Sequence, residues 1–215
     1  MAFCFSELRH RMNTKTLSQL LDLSASSHSH LCPRQILGVR MGMHAGDLLN
    51  LPLPQHDKRL LVITETDGCF ADGLSAVTNA TVGHRTMRVE DYGKAAAVFV
   101  DTQTEQAIRI APATNIRQLA CGHVPEEQRH YFAQMKAYQT MQAEIMFNVQ
   151  TVLLSVSLRA ILSRPGIRVE CEVCGEEIMN EREIIQNGLT LCRACSGPAY
   201  YRNPVSIPVY EQMTA

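Results

Sequence analysis

The sequence predicts an α+β core domain with a small C-terminal treble-clef zinc finger, and three observations carry that prediction. Helical and β-branched segments are mixed up to residue 164 without a regular βαβ rhythm. A Pro165-Gly166 pair then breaks the chain. Beyond it, two Cys-x2-Cys pairs stand seventeen residues apart. The expected division is a core over 1–164 and a finger with its tail over 165–215, which 215 residues accommodate as one mid-sized core plus an appendage.

Leu17, Leu20, Leu21 and Ala25 recur at helical spacing, so a first helix is expected over 14–26. A second starts at Pro33, a residue with no N–H to satisfy in a first turn, and stops before Pro52. "LLVITET" (60–66) has the composition of a buried strand, and "DGCFADGLSAVTN" (67–79) that of a turn feeding a short helix. "AAAVFVDTQTEQAIRIAP" (95–112) predicts two strands joined by a polar hairpin. The clearest helix is expected over 125–147, with acidic residues at its N-terminal end, where the macrodipole favours them. "NVQTVLLSVSL" (148–158) turns β-branched and predicts a last core strand.

Composition narrows the function. Hydrophobic residues make up 46% and charged residues 19%, an ordinary globular balance, and a net charge of -1 draws the chain neither to nucleic acid nor to anionic membrane. "MAFCFSELRHRMNTK" has no unbroken apolar run of a secretory signal, and no stretch approaches the roughly 18 apolar residues of a membrane span. A cytoplasmic protein is expected. There, eight cysteines point to metal or thiol chemistry before disulfides.

Cys171, Cys174, Cys192 and Cys195 can hold one tetrahedral zinc through four thiolates. Gly175 lets the first pair turn, Asn187-Gly188 predicts a hairpin between the pairs, and the second pair opens a short helix. Six glutamates against three arginines (Arg168, Arg182, Arg193) make this a poor phosphate binder, so structural support or a protein contact is expected of it. A redox pair or two disulfides are the competing readings of the same cysteines.

The core has its own candidates. "HSHLCP" puts His28 and His30 on one face of an extended segment, with Cys32 at the N-cap position ahead of Pro33. "DGCFAD" puts Cys69 after a glycine at a strand end, with Asp72 beside it. His28, His30, Cys32 and Cys69 offer the ligands of a second divalent metal with an open position. The competing reading is a thiol pocket without metal. Cys69, His30, Asp72 and Lys94 are the candidate catalytic groups, Asp72 by orienting a histidine N–H and Lys94 by holding an anionic ligand.

"HSHLCPRQILGVRMG", "DGCFADGLSAVTNATVGHRTMRVEDYGKAAAVFVD" and the terminal "CEVC…CRAC" resemble the E-subunit family of formylmethanofuran dehydrogenase, over about residues 15 to 197. The resemblance implies an α+β core with a cysteine- and histidine-lined cavity, a treble-clef finger in many members, and a homodimer. It puts His28, His30, Cys32, Cys69, Asp72 and Lys94 on the family's motif positions. The chain departs from the pattern at Ser29 and Arg34, where glycine is expected, and at Asn79 and Ala80, where glycine and cysteine are frequent. At His84 a lysine is common. The family's named redox step needs a molybdenum or tungsten pterin and electron-carrying clusters, for which this chain has neither the bulk nor the cysteine runs. The expected function is a zinc protein whose core site binds or acts on a small molecule. The alternative is a non-catalytic accessory protein that docks a protein partner through its finger. Whether the chain is an enzyme stays open.

Overall fold

The computed structural model describes residues 13–26, 28, 30–162 and 166–201. The N-terminal string with Cys4, Ser29 of the histidine segment, and Pro165 lie outside the described residues. The chain divides into two compact units, 1–155 and 156–215.

The first unit runs α1 (Leu17–Ala25), α2 (Pro33–Leu49), β1 (Leu60–Thr64), α3 (Cys69–Thr78), β2 (Met87–Val89), β3 (Ala97–Asp101), β4 (Ala107–Pro112), α4 (Ile116–His123), α5 (His130–Thr140), α6 (Ala143–Met146) and β5 (Phe147–Thr151). Its sheet has the order β2-β1-β3-β4-β5. Only β1 and β2 run parallel, as a parallel pair joined through a helix must; the other pairs are antiparallel. In register, Val62 faces Phe99 and Phe99 faces Ile108, a column that the helices cover. The alternate column, Leu61, Val100 and Ala107, is also buried, which is why β1 reads as a continuous apolar run.

Local chemistry accounts for the helix starts. Thr16 caps α1 through a reciprocal box, its Oγ1 accepting from the Gln19 N–H while Gln19 Oε1 accepts from the Thr16 N–H. Cys32 is the N-cap of α2, as expected, but its backbone N–H is held by Gln35 Oε1 at 2.8 Å. The Gln35 amide nitrogen then donates to Ser24 O and Oγ, so one fully buried side chain ties the end of α1 to the start of α2.

The long helix expected over 125–147 is two helices, and its acidic residues precede the first. Glu127 lies in the turn before α5, its carboxylate accepting from the Arg129 N–H. The break at Met141 comes from another element: Arg40 of α2 donates to the carbonyls of Tyr138 (2.8 Å) and Met141 (2.6 Å). A guanidinium that satisfies the last carbonyls of α5 makes helix termination there inexpensive. Met141 and Met146 are buried in the unit's own core and Met135 packs on it. These methionines therefore supply no residue-level reason for a dimer. The strand expected over 148–158 shortens to β5, and β2, α4 and the later α7 had no expectation.

Asp101 ends β3 and is 2% exposed; Arg59 Nε and Nη2 donate to its two carboxylate oxygens at 3.0 and 2.8 Å. The Arg59 hydrogen bonds hold the Asp101 carboxyl at about 2, below its ordinary value of 3.8. A carboxyl that titrates lower folded than unfolded stabilises fully above its unfolded value and loses that contribution as pH falls toward 2. Asp101→Asn should cost about 2 kcal/mol at pH 7 and almost nothing near pH 2, read by denaturant unfolding at both. An equal cost at both pH values overturns the assignment.

The second unit holds α7 (Leu158–Leu162), an antiparallel pair β6 (Arg168–Glu170) and β7 (Glu177–Met179), a hairpin β8 (Ile184–Gln186) and β9 (Leu189–Leu191), and α8 (Arg193–Ser196). Asn187 (φ 53°) and Gly188 (φ 81°) form the turn of the β8–β9 hairpin, both in the left-handed region that this turn demands. No helix among the described residues is long and apolar enough to cross a membrane.

Candidate functional site

In the second unit the Cys171, Cys174, Cys192 and Cys195 sulfurs all lie within 4.8 Å of one another. The first pair sits on the turn between β6 and β7; Cys192 is the N-cap of α8 and Cys195 lies within it. Four thiolates 2.3 Å from one zinc sit about 3.8 Å apart at the corners of a tetrahedron. Cys174 Sγ and Cys192 Sγ are 3.9 Å apart. The Cys192 N–H donates to Cys171 Sγ at 3.3 Å, and amides aimed at its sulfur pull the Cys171 thiol down to about 6. Hydrogen bonding to Cys192, with burial, pushes Cys195 up to about 12, so four crowded thiols do not ionise together unaided. A dication supplies the missing compensation. Geometry and donor set fit a structural zinc.

The core site is built by two helices that meet backbone to backbone. A Cβ on Gly38 of α2 would fall 2.3 Å from Phe70 O, and one on Gly73 of α3 would fall 2.4 Å from Gln35 O. Farther along, Gly42 faces Val77, so α2 and α3 run in the same direction with their N-termini together. Cys32 caps one helix and Cys69 opens the other. Gly68 makes the second start possible: it caps α3 at φ 66°, ψ -150°, a conformation open essentially to glycine alone. Burial of Cys69, and next the neighbouring Cys32 thiol, push the Cys69 thiol above its ordinary range. The expected dipole-driven lowering does not reach this sulfur, because desolvation opposes it.

Asp72, one turn along α3 from Cys69, accepts from His28 Nε2 at 2.7 Å. That bond fixes the proton on Nε2 and leaves Nδ1 as the lone-pair nitrogen of a neutral ring. His30 is exposed. Lys94 is exposed too, with its backbone N–H on Glu65 O at 3.1 Å and its Nζ 6.0 Å from the Tyr92 ring centre. Among the described residues the finger cysteines form the one group of three or more potential ligands. The expected second metal set, His28, His30, Cys32 and Cys69, does not converge that far. His28 has turned its Nε2 to Asp72, and Cys69 has Cys32 as its neighbour. Gly38, Gly73 and Gln35, which hold this arrangement, were missed in the sequence. The spacing Gly38-x3-Gly42-x3-Gly46 was the available signal, since small residues four apart form one close-packing helix face.

Residues 27–152, more than half of the chain, match the family described as "FmdE, Molybdenum formylmethanofuran dehydrogenase operon". The chain belongs to the FmdE family. Residues 166–201 match the prokaryotic dksA/traR C4-type zinc finger, the segment that carries the four cysteines. The FmdE core and its finger together resemble the crystal structure of an FmdE-like protein of tungsten formylmethanofuran dehydrogenase from Syntrophus aciditrophicus. That likeness has a TM-score of 0.52 and 19% identity and covers 88% of this chain and 96% of that one; it shows the shared fold. A curated relative from Archaeoglobus fulgidus, a probable S-adenosyl-L-methionine-binding protein, is 26% identical over 205 residues, 86% of this chain and 54% of the relative. The FmdE chain thus spans about half the length of the curated relative it matches.

Proposed function

We propose that this FmdE-family protein binds a small molecule at the paired N-termini of α2 and α3, and that its finger is a structural zinc module. One observation carries the reading: the Gly38–Gly73 crossing brings two helix N-termini and their cysteines together beside the His28–Asp72 pair. Two positive dipole ends favour a carboxylate or other anionic group of a ligand, and the thiols and His28 Nδ1 offer soft contacts. The Archaeoglobus relative puts S-adenosyl-L-methionine first among ligands to try; its amino-acid carboxylate suits the helix ends and its sulfonium the electron-rich sulfurs. Asp72 acts by orienting His28. The proposal asks for no metal in the core.

Calorimetry of the full chain, loaded with its finger zinc, decides it. S-adenosyl-L-methionine, and added zinc as a control for a metal reading, are titrated into the parent protein and Cys69→Ala. Binding that weakens at least about tenfold in Cys69→Ala supports the site. If neither titrant gives heat that depends on Cys69, the accessory reading replaces it, in which the finger docks a protein partner and the core thiols are structural.

A further inference from the structure

A second polar cavity, at the opposite end of α3 from Cys69, is independent of that reading. It encloses about 200 Å³ between the β1 approach, the end of α3 and the turn before β2. Its polar walls include His56, Lys58, His84 and Asn79, and no carboxylate lines it. In a chain whose net charge is -1, a cavity walled only by cationic and neutral groups is a local construction. We propose that this cavity binds the phosphate group of a small phosphorylated metabolite.

Donor bookkeeping supports the assignment. The Asn79 amide nitrogen donates to Gln55 O at 3.0 Å and to His56 Nδ1 at 3.2 Å. His56 therefore accepts at Nδ1 and carries its proton on Nε2, a fixed donor. The Thr78 hydroxyl is spent on Leu74 O, and the Thr86 hydroxyl meets Thr81. What remains is His56 Nε2–H, the Lys58 ammonium and the His84 ring, and no ion pair to Lys58 is found among the described residues. Asp57, its chain neighbour, turns its carboxylate to the Arg59 N–H. The end of a helix ordinarily repels an anion, but the last carbonyls of α3 are occupied. Ser75 O takes the Asn79 N–H, Thr78 O the Gln55 N–H, and Ala80 O the Ser75 hydroxyl. The cations are thus available to a ligand.

The backbone adds a second observation. Lys58 (φ 65°), Asn79 (φ 60°) and Arg85 (φ 63°), next to His84, are all left-handed. Such strain in non-glycine residues is held in place by its surroundings and gathers where side chains must be aimed. Glycine at position 58 would relieve it and forfeit the ammonium.

The test titrates inorganic phosphate, and separately glycerol 3-phosphate, into the full chain in phosphate-free buffer, following the histidine rings by NMR. The parent protein, Lys58→Gly and His84→Gln are compared, with thermal melting to confirm folding. The expected result is a saturable shift of the His56 and His84 rings that weakens at least about tenfold in each folded variant. His84→Gln carries the comparison alone if Lys58→Gly does not fold. Tighter binding of the ester than of free phosphate assigns a phosphorylated metabolite; the reverse assigns free phosphate and overturns the metabolite proposal. No saturable shift, or a smaller weakening in either folded variant, means an adventitious ion only and overturns the site.

Discussion

Cys174→Ser should strip the chain of its zinc and unfold the second unit, with the first unit's melting left unchanged. The finger's buried cluster is Cys171, Ile178 and Leu191, and one of the three is a ligand. Two aliphatic side chains contribute about 3–6 kcal/mol by burial, whereas a structural zinc contributes about 10–16 kcal/mol to the folding of such a module. Metal analysis should return one zinc per parent chain and none in the variant. The amide signals of β6 to α8 should collapse to unfolded positions while those of the sheet strands stay. A parent protein without metal, or a finger that keeps its dispersion after Cys174→Ser, defeats the assignment. A second zinc that survives the substitution would restore a core metal.

Gly73→Ala should be the most damaging single-methyl addition in the core. The new Cβ would sit 2.4 Å from Gln35 O and 3.0 Å from Val39 N, both backbone atoms, so no side chain can swing aside. The helices must separate instead, at about 3 kcal/mol or more, or roughly 6–12 °C in melting temperature for a chain of this size. Gly122→Ala is the control. Gly122 lies in α4 with nothing within 4 Å of its added Cβ, so it should gain up to about 1 kcal/mol. A Gly73→Ala melt within about 2 °C of the parent would mean that the crossing does not set the position of Cys32 relative to Cys69.

Most helices and strands were legible because periodicity and punctuation are local. Pro33 starts α2, Gly68 precedes α3, and the Asn187-Gly188 turn stands where its dipeptide says. Asn79 shows how a family glycine can be replaced: it takes the left-handed C-cap of α3 at φ 60°, a conformation asparagine tolerates. The misses have distant causes. Nothing between residues 138 and 142 announces a helix end; the cause is Arg40, about a hundred residues away. β2 is three residues whose apolar content is too short to register, and it exists because β1 offers an open edge to Met87–Val89. In the site, the cysteines and His28 were visible as residue types, but the partner that each takes was not. That choice depends on a helix crossing set by two glycines thirty-five positions apart.

Glu65, just past β1, fixes how Lys94 can move. Its carboxylate receives both Arg109 Nε (2.6 Å) and Nη2 (2.7 Å), its N–H donates to Ala96 O, and its own carbonyl accepts from Tyr92 and Lys94. The loop carrying Lys94 is thereby fastened to the sheet at its backbone, while the long side chain stays in solvent. Its ammonium can change position by rotamer hops on the picosecond-to-nanosecond scale, with no microsecond opening of the loop. Relaxation measurements should accordingly find a stiff amide at Lys94 beneath a fast-moving Nζ: a swinging arm on a fixed shoulder, whose reach sets what it can meet.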